Sequence, residues 1–229
     1  MAMSIFITGV DTDVGKTVLT GMLLRHLRES GVRALGLKPI CCGGTGDRDL
    51  LVELQGGDLD RNQVSPFYFP EPVAPLVAGQ IQGKILQLGT IVRAIQRIEE
   101  RGERVLIEGV GGVCAPLGPG FQVIDLIAAL ACPAIMVAPN RVGALNLSLM
   151  GLQILTARGI SVQAVVLMGV HEPDLAARTN GRVLRDMVEG LPVIVIPYLG
   201  ENARRIEQIK KNVKKCQKAL ARVLETDRV

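Results

Sequence analysis

Aromatic residues are scarce in this 229-residue chain, with two tyrosines, four phenylalanines and no tryptophan. Yet 48% of the residues are hydrophobic, so the core must be built from Val, Ile, Leu and Ala, a composition that favours parallel strands buried on both faces. Histidine occurs only at 26 and 171. His26 falls inside a helical pattern, where a solvent-facing or core role fits better than catalysis, and no nucleophile motif lies near His171, so Ser- and Cys-type triads are set aside. The five cysteines (41, 42, 114, 132 and 216) are odd in number and lack CxxC spacing, which argues against both a zinc site and a disulfide framework. No apolar run is long enough to span a bilayer, and the chain runs at once into an apolar strand with no room for a signal peptide. The expectation is a cytoplasmic protein without a membrane partner.

The net charge of +4 is local: residues 201–229 hold nine Lys/Arg against four Asp/Glu. Ile206, Ile209, Val213, Cys216, Leu220 and Leu224 repeat there at helical spacing, so the lysines read as the solvated face of an amphipathic helix. Aromatic interleaving and a reading motif are both missing, so no nucleic-acid partner is expected.

What is present is an alternation of short apolar runs with helical patterns. Strands are expected at 5–8, 34–38, 105–108, 134–138, 162–168 and 193–196, and helices at 16–30, 86–101, 123–130, 144–158 and 173–190. The length suits one α/β domain covering 1–229, with a doubly wound, mostly parallel sheet. Ligands of such sheets bind beyond the carboxyl ends of the strands, which gathers 8–17, 38–44, 108–116 and 139–146 around one crevice. Val64 to Pro75, with four prolines and three of the six aromatics, reads as a stiff loop that packs the sheet edge or shapes a binding wall.

Residues 4–17, SIFITGVDTDVGKT, form a strand, a polar turn and a helix start: a P-loop. Backbone N–H groups curl around a triphosphate, Lys16 neutralises β/γ oxygens, the Thr17 hydroxyl reaches Mg²⁺, and the helix aims its positive end at the anion. The usual first glycine is displaced: its place is Val10, with Gly9 one earlier. ParA/MinD-like ATPases carry a signature lysine five positions before the phosphate lysine, and here that position is Asp11. A switch of that kind is therefore not expected.

Two further residues suit chemistry at the crevice. Lys38 ends a strand as GLKPI, and Pro39 forces an extended turn that projects it beside the triphosphate, where it can hold an anionic substrate or developing phosphoryl charge. Glu108 ends the strand RVLI before a glycine run, the usual place of a metal-binding carboxylate in P-loop enzymes. Asp49, opening the apolar stretch DLL, reads by itself as an N-cap or first-turn residue and is a third candidate.

GVDTDVGKT, GLKPI, RDLL, LIEGVGG followed by CAPL, and IPYLGEN resemble, in order and spacing, segments of the dethiobiotin synthetases. That family converts 7,8-diaminononanoate, CO₂ and ATP to dethiobiotin, ADP and phosphate in biotin biosynthesis. The resemblance implies Mg²⁺ on Thr17, Asp49 and Glu108, with catalysis by Lys16, Lys38 and Thr12, the last two facing a substrate carbamate. It implies nucleotide contacts from Asp13, Val14, Gly15 and Val18, from Gly109, Val110 and Gly111, and from Gly169, Val170, Pro197, Tyr198 and Leu199. It further implies a homodimer with the site at the interface, the substrate carboxylate resting on the partner's Gly143, Ala144, Leu145 and Asn146.

Two positions depart from the family. Cys42 replaces a small hydroxyl residue and is a weaker donor to substrate. Gly169 stands where many relatives have an adenine-reading Asn, so weak discrimination among nucleoside triphosphates is expected. Two other readings are kept: an amide-forming ligase of the cobyrinate synthase type, disfavoured because the chain leaves no space for the glutaminase domain, and a nucleotide-binding adaptor, which would have no need of Lys38.

Overall fold

The computed structural model describes residues 3–225. In chain order the strands and helices are β1 (Met3–Gly9), α1 (Lys16–Glu29), β2 (Ala34–Leu37), β3 (Ile40–Cys42), α2 (Gly46–Leu54), α3 (Arg61–Val64), β4 (Phe67–Phe69), α4 (Pro75–Gln82), α5 (Leu88–Glu99) and β5 (Arg104–Glu108). They continue with β6 (Pro116–Gly118), β7 (Phe121–Gln122), α6 (Val123–Leu130), β8 (Ala134–Asn140), α7 (Ala144–Ala157), β9 (Val162–Gly169), α8 (Leu175–Met187), β10 (Val193–Ile196) and α9 (Ile206–Leu224).

Six strands form one sheet in the order β10-β9-β8-β1-β5-β2, and every neighbouring pair is parallel. All six are the apolar runs read from the sequence. β1 is central because Ile5, Phe6 and Ile7 are apolar on consecutive positions and are covered from both faces. The chain passes from β1 to the β5–β2 side and later returns to β8 on the other side of β1. That reversal opens a crevice beyond the carboxyl ends of β1, β5 and β2.

Helices flank the sheet. α1 packs on α9 and α2, α5 on α6, and α7 on α8. α9 buries Ile209, Val213, Cys216 and Leu220 as its periodicity predicts, with Val223 buried in place of Leu224. α8 starts at Leu175, not at 173, because Asp174 caps it: its Oδ1 accepts the Ala177 N–H at 2.7 Å.

The Val64 to Pro75 stretch is more regular than a stiff loop. Its Phe67–Phe69 segment pairs in parallel with Ile40–Cys42, while Pro72 to Pro75 form a wall of the crevice. The β6–β7 hairpin is not legible in the sequence, since two- and three-residue strands carry no readable period, and α4 is a further element that the sequence reading does not include, opening on Pro75 at the end of the proline-rich stretch.

β2 is an edge strand, and its free backbone groups are covered by side chains. Gln55, fully buried after α2, accepts the Gly36 N–H at 3.0 Å and donates to the Gly36 carbonyl at 3.1 Å, as a neighbouring strand would. Arg28 donates to the Ala34 carbonyl at 3.0 Å. The edge is thereby closed to pairing with another chain. Gln55→Ala leaves both Gly36 groups buried and unpaired, and a loss of about 2 kcal/mol in unfolding free energy is expected by urea titration. An unchanged midpoint would show that water replaces the amide at no cost.

Candidate active site

β1 ends at Gly9, and α1 begins after Gly15, whose φ of 101° lets the chain turn directly into the helix. In the first turn of α1 the N–H groups have no partner within the helix and face the loop, a ready anion site. The displaced glycine has a spatial reason. A Cβ on Gly9 would lie 2.8 Å from the Val14 side chain and 3.0 Å from both the Asp11 carbonyl and Lys16 Nζ, so the loop and the lysine fold back over Gly9 itself. Lys16 Nζ donates to the Asp11 carbonyl at 2.6 Å. Burial, then repulsion from Lys38, lowers its pKa to about 8.

Lys38 follows β2. Its backbone is held by Val64, whose carbonyl accepts the Lys38 N–H at 3.0 Å, and by the Ser65 hydroxyl, which donates to the Lys38 carbonyl. Its Nζ then reaches Glu108 Oε1 at 2.6 Å, the Gly109 carbonyl at 3.1 Å and Asp47 Oδ2 at 3.3 Å. Burial pulls the Lys38 ammonium down, but Glu108 and Asp47 outweigh it and hold the group above lysine's ordinary value. Glu108 also accepts from the Thr17 hydroxyl at 2.7 Å. Its other oxygen, Oε2, is buried without a hydrogen-bond partner.

Asp49 is corrected by the structure. α2 starts three residues before it, at Gly46, and residues two apart on a helix lie about 200° around the axis. Asp49 therefore points away from the crevice, to Thr45 at 2.7 Å and Arg61 at 2.8 Å, while Asp47 points in. Burial would raise the Asp47 pKa, but Lys38 and Arg204 lower it further, so the group is held ionised. The GDRD stretch offered both carboxylates, and only the start of the helix decides between them.

Thr17 Oγ1, Asp47 and the unpartnered Glu108 Oε2 are hard oxygen donors of the kind Mg²⁺ prefers. Among the described residues no three His, Cys, Asp or Glu gather into a metal site. Such a donor set suits a cation that brings phosphate and water oxygens with it.

These groups line a cavity of about 900 Å³. Thr12, Asp13, Gly15, Val110, Gly111 and Cys42 also reach it. The Asp11 carboxylate fixes Thr12, accepting its N–H at 2.7 Å and its hydroxyl at 3.1 Å. Burial, then Cys41, pushes the Cys42 thiol up to about 11, so it stands there neutral. The opposite wall is apolar: Val73 and Pro75, with Leu147, Met150 and Ile154 of α7.

Other expected residues lie outside this lining. The side chains of Val14 and Val18 are buried in the core. Gly109 packs against Phe6 and contributes its carbonyl to Lys38. Gly143, Ala144, Leu145 and Asn146 form the start of α7 but do not border the cavity of their own chain. Gly169 is packed so closely that a Cβ there would lie 2.4 Å from the Tyr198 nitrogen and 2.6 Å from the Pro197 carbonyl carbon, so no side chain fits. Val170 follows it, and the Leu199 carbonyl is tied to Asn212. The side chain at the end of β9 that touches the phosphate loop is Met168, against Gly15. Asp47, Met168 and Arg204 were all missed. Asp47 had a signal in the neighbouring Asp49, whereas the other two belong to no motif.

A family model described as an AAA domain matches residues 3–214. The ATP-dependent dethiobiotin synthetase BioD of Akkermansia muciniphila is 35% identical over 196 residues, covering 85% of this chain and 89% of the relative. That of Rhodococcus erythropolis is 35% identical over 214 residues, covering 90% and 93%. Among solved structures, the septum site-determining protein MinD of Pyrococcus horikoshii, complexed with Mg-ADP, aligns over 97% of this chain and 94% of its own with a TM-score of 0.61 at 17% identity. The ParA of pNOB8, bound to nonspecific DNA, aligns over 100% of both chains with a TM-score of 0.59 at 16% identity. Those two likenesses are of fold alone, that of the P-loop NTPases. Sequence identity above 30% over more than four-fifths of the chain carries the closer relationship: the chain belongs to the ATP-dependent dethiobiotin synthetase family.

Proposed function

We propose that residues 1–229 form one domain that closes 7,8-diaminononanoate and CO₂ into dethiobiotin with ATP as co-substrate. The observation that carries this reading is the buried contact of Lys38 with Glu108 beside the phosphate loop, two ionised groups poised where a phosphoryl group and an anionic substrate would meet. An adaptor that only binds nucleotide has no use for Lys38 there.

One substrate amine captures CO₂ as a carbamate and releases a proton. The Thr12 hydroxyl, whose proton rests on Asp11 before substrate enters, rotates to donate it to the carbamate, and Lys38 offsets the carbamate's negative charge as it approaches the triphosphate. Lys16 swings from the Asp11 carbonyl to the β/γ oxygens. The carbamate oxygen takes the γ-phosphoryl group, giving a carbamic–phosphoric anhydride and ADP. The neighbouring amine attacks the carbonyl carbon, phosphate leaves, and the five-membered ureido ring closes. Both reacting groups sit in one molecule, so orientation supplies much of the advantage. Thr17, Asp47 and Glu108 would hold Mg²⁺, which when bound draws charge from the phosphate oxygens.

The apolar wall of Leu147, Met150 and Ile154 suits the hydrocarbon chain of the substrate. We place its carboxylate on the first turn of a partner's α7, at Gly143 to Asn146, in a homodimer. The exposure of Val142 at 73% and Met150 at 50% favours that assembly. Among the described residues no helix is long and apolar enough to cross a membrane, and we place the reaction in the cytoplasm.

Lys38→Ala is expected to lower product formation by at least about a thousandfold, the scale of a lost charge-stabilising group, while ATP still binds; retained synthesis would remove Lys38 from the reaction. Lys16→Ala should lower both binding and turnover. Asp47→Asn should raise the Mg²⁺ concentration needed for half-maximal rate at least about tenfold, as loss of one carboxylate ligand implies, whereas Asp49→Asn should shift it less than twofold. The reverse order would restore Asp49 as the metal-side carboxylate. Because Gly169 admits no side chain and Met168 offers no amide, catalytic rates with CTP or GTP should be comparable to that with ATP. Strict dependence on ATP would mean that backbone groups read the base.

A further inference from the structure

Among the described residues three cations line the cavity: Lys16, Lys38 and Arg204. The first two have roles in the reaction above, and Arg204 has none. It comes from the segment 197–205 between β10 and α9, which is well held: Ala203 and Arg205 donate to the Gly200 and Asn202 carbonyls at 3.2 and 2.9 Å, and the buried Asn212 donates to the Leu199 carbonyl at 3.3 Å. From that support the guanidinium crosses to two other parts of the site. Nη2 lies 3.1 Å from Asp13 Oδ1 in the phosphate loop, and Nη1 lies 3.5 Å from Asp47 Oδ1 at the start of α2.

Neither contact is a strong brace. Arg204 is 56% exposed and Asp13 89%, and pairs in such solvent contribute little to stability. The partners are also those whose situation changes when nucleotide arrives. Asp47 is shared with Lys38 and turns toward a cation under the reading above, while Asp13 lies in the loop that receives the phosphates. A guanidinium freed there faces a concentrated negative charge, and its planar fork matches phosphate oxygens bidentately.

We propose that Arg204 is a third phosphate-binding cation, held by Asp13 and Asp47 and transferred to the triphosphate when it binds. The segment 197–205 then follows its arginine, so the base side and the phosphate side of the nucleotide are held by one loop. This rests on the assignment of the cavity to ATP.

The test uses the full chain with Mg²⁺ and measures dissociation constants for ATP and AMP by calorimetry. Arg204→Ala should weaken ATP about tenfold, the loss expected of one charge-assisted hydrogen-bonding group, and leave AMP within twofold. Arg204→Lys should fall between. Asp13→Asn, which removes the parking site, should tighten ATP more in the wild type than in the Arg204→Ala background. Equal weakening of ATP and AMP would show that the variant merely displaces the loop, and an unchanged ATP affinity would show that Arg204 never leaves its carboxylates; either overturns the proposal. Equal Asp13→Asn effects in both backgrounds would overturn the parking of Arg204. Failure of the wild-type chain to bind ATP would overturn the nucleotide assignment together with this one, whereas wild-type binding matched by Arg204→Ala would overturn this one alone.

Discussion

A lysine and a glutamate, 2.6 Å apart and almost wholly out of water, set the terms for everything around them. Taking both charges from solvent costs more than their attraction returns unless further hydrogen bonds satisfy them. Those bonds are present: Glu108 accepts from Thr17, and Lys38 donates to the Gly109 carbonyl and faces Asp47. The three strands and helices involved (β2, β5 and α1) must therefore end within a few ångströms of one another. A pair of well-packed apolar residues would hold the sheet together at lower cost, so the retention of charge here is a sign of chemistry.

The same pair explains the condition of the phosphate loop. Burial disfavours both lysine charges, Lys38 repels Lys16 in addition, and the Lys16 pKa falls to about 8. Lys38 keeps its proton because two carboxylates face it. A triphosphate entering this crevice meets one cation already compensated and another seeking an anion. A phosphate oxygen beside Lys16 favours its charged form and so opposes the effect of burial.

How much of this was legible follows from the range of each signal. The six strands of the sheet are uninterrupted apolar runs and announce themselves. Lys38 stands just beyond β2, Glu108 ends β5, and Lys16 and Thr17 open the helix that the loop after β1 leads into, so topology fixes their positions and all four line one cavity. Asp49 as the metal-side carboxylate failed because it stands two residues, about 200° of helix, from Asp47, and the residue pattern alone does not say which of the two faces the crevice. Gly169 was readable as the absence of an amide, but not the close approach of Pro197 and Tyr198 that forbids any side chain there. Arg204 could not be found at all, since its two partners lie 191 and 157 positions away in sequence and no local pattern joins them.

Likeness of fold to MinD and ParA leaves the chemistry open, and position 11 shows how the two separate. A lysine five residues before the phosphate lysine can extend out of its own loop. Asp11 in this chain does the reverse, turning its carboxylate onto the N–H and hydroxyl of Thr12 while its carbonyl receives Lys16. The position is thus spent on arranging the adjacent threonine at its own cavity, which Lys38 also lines. A loop built this way keeps the threonine hydroxyl on an exposed carboxylate at the cavity, where the carboxylate or carbamate of a small substrate can replace Asp11 as its acceptor, a use that a ligase has and a switch does not.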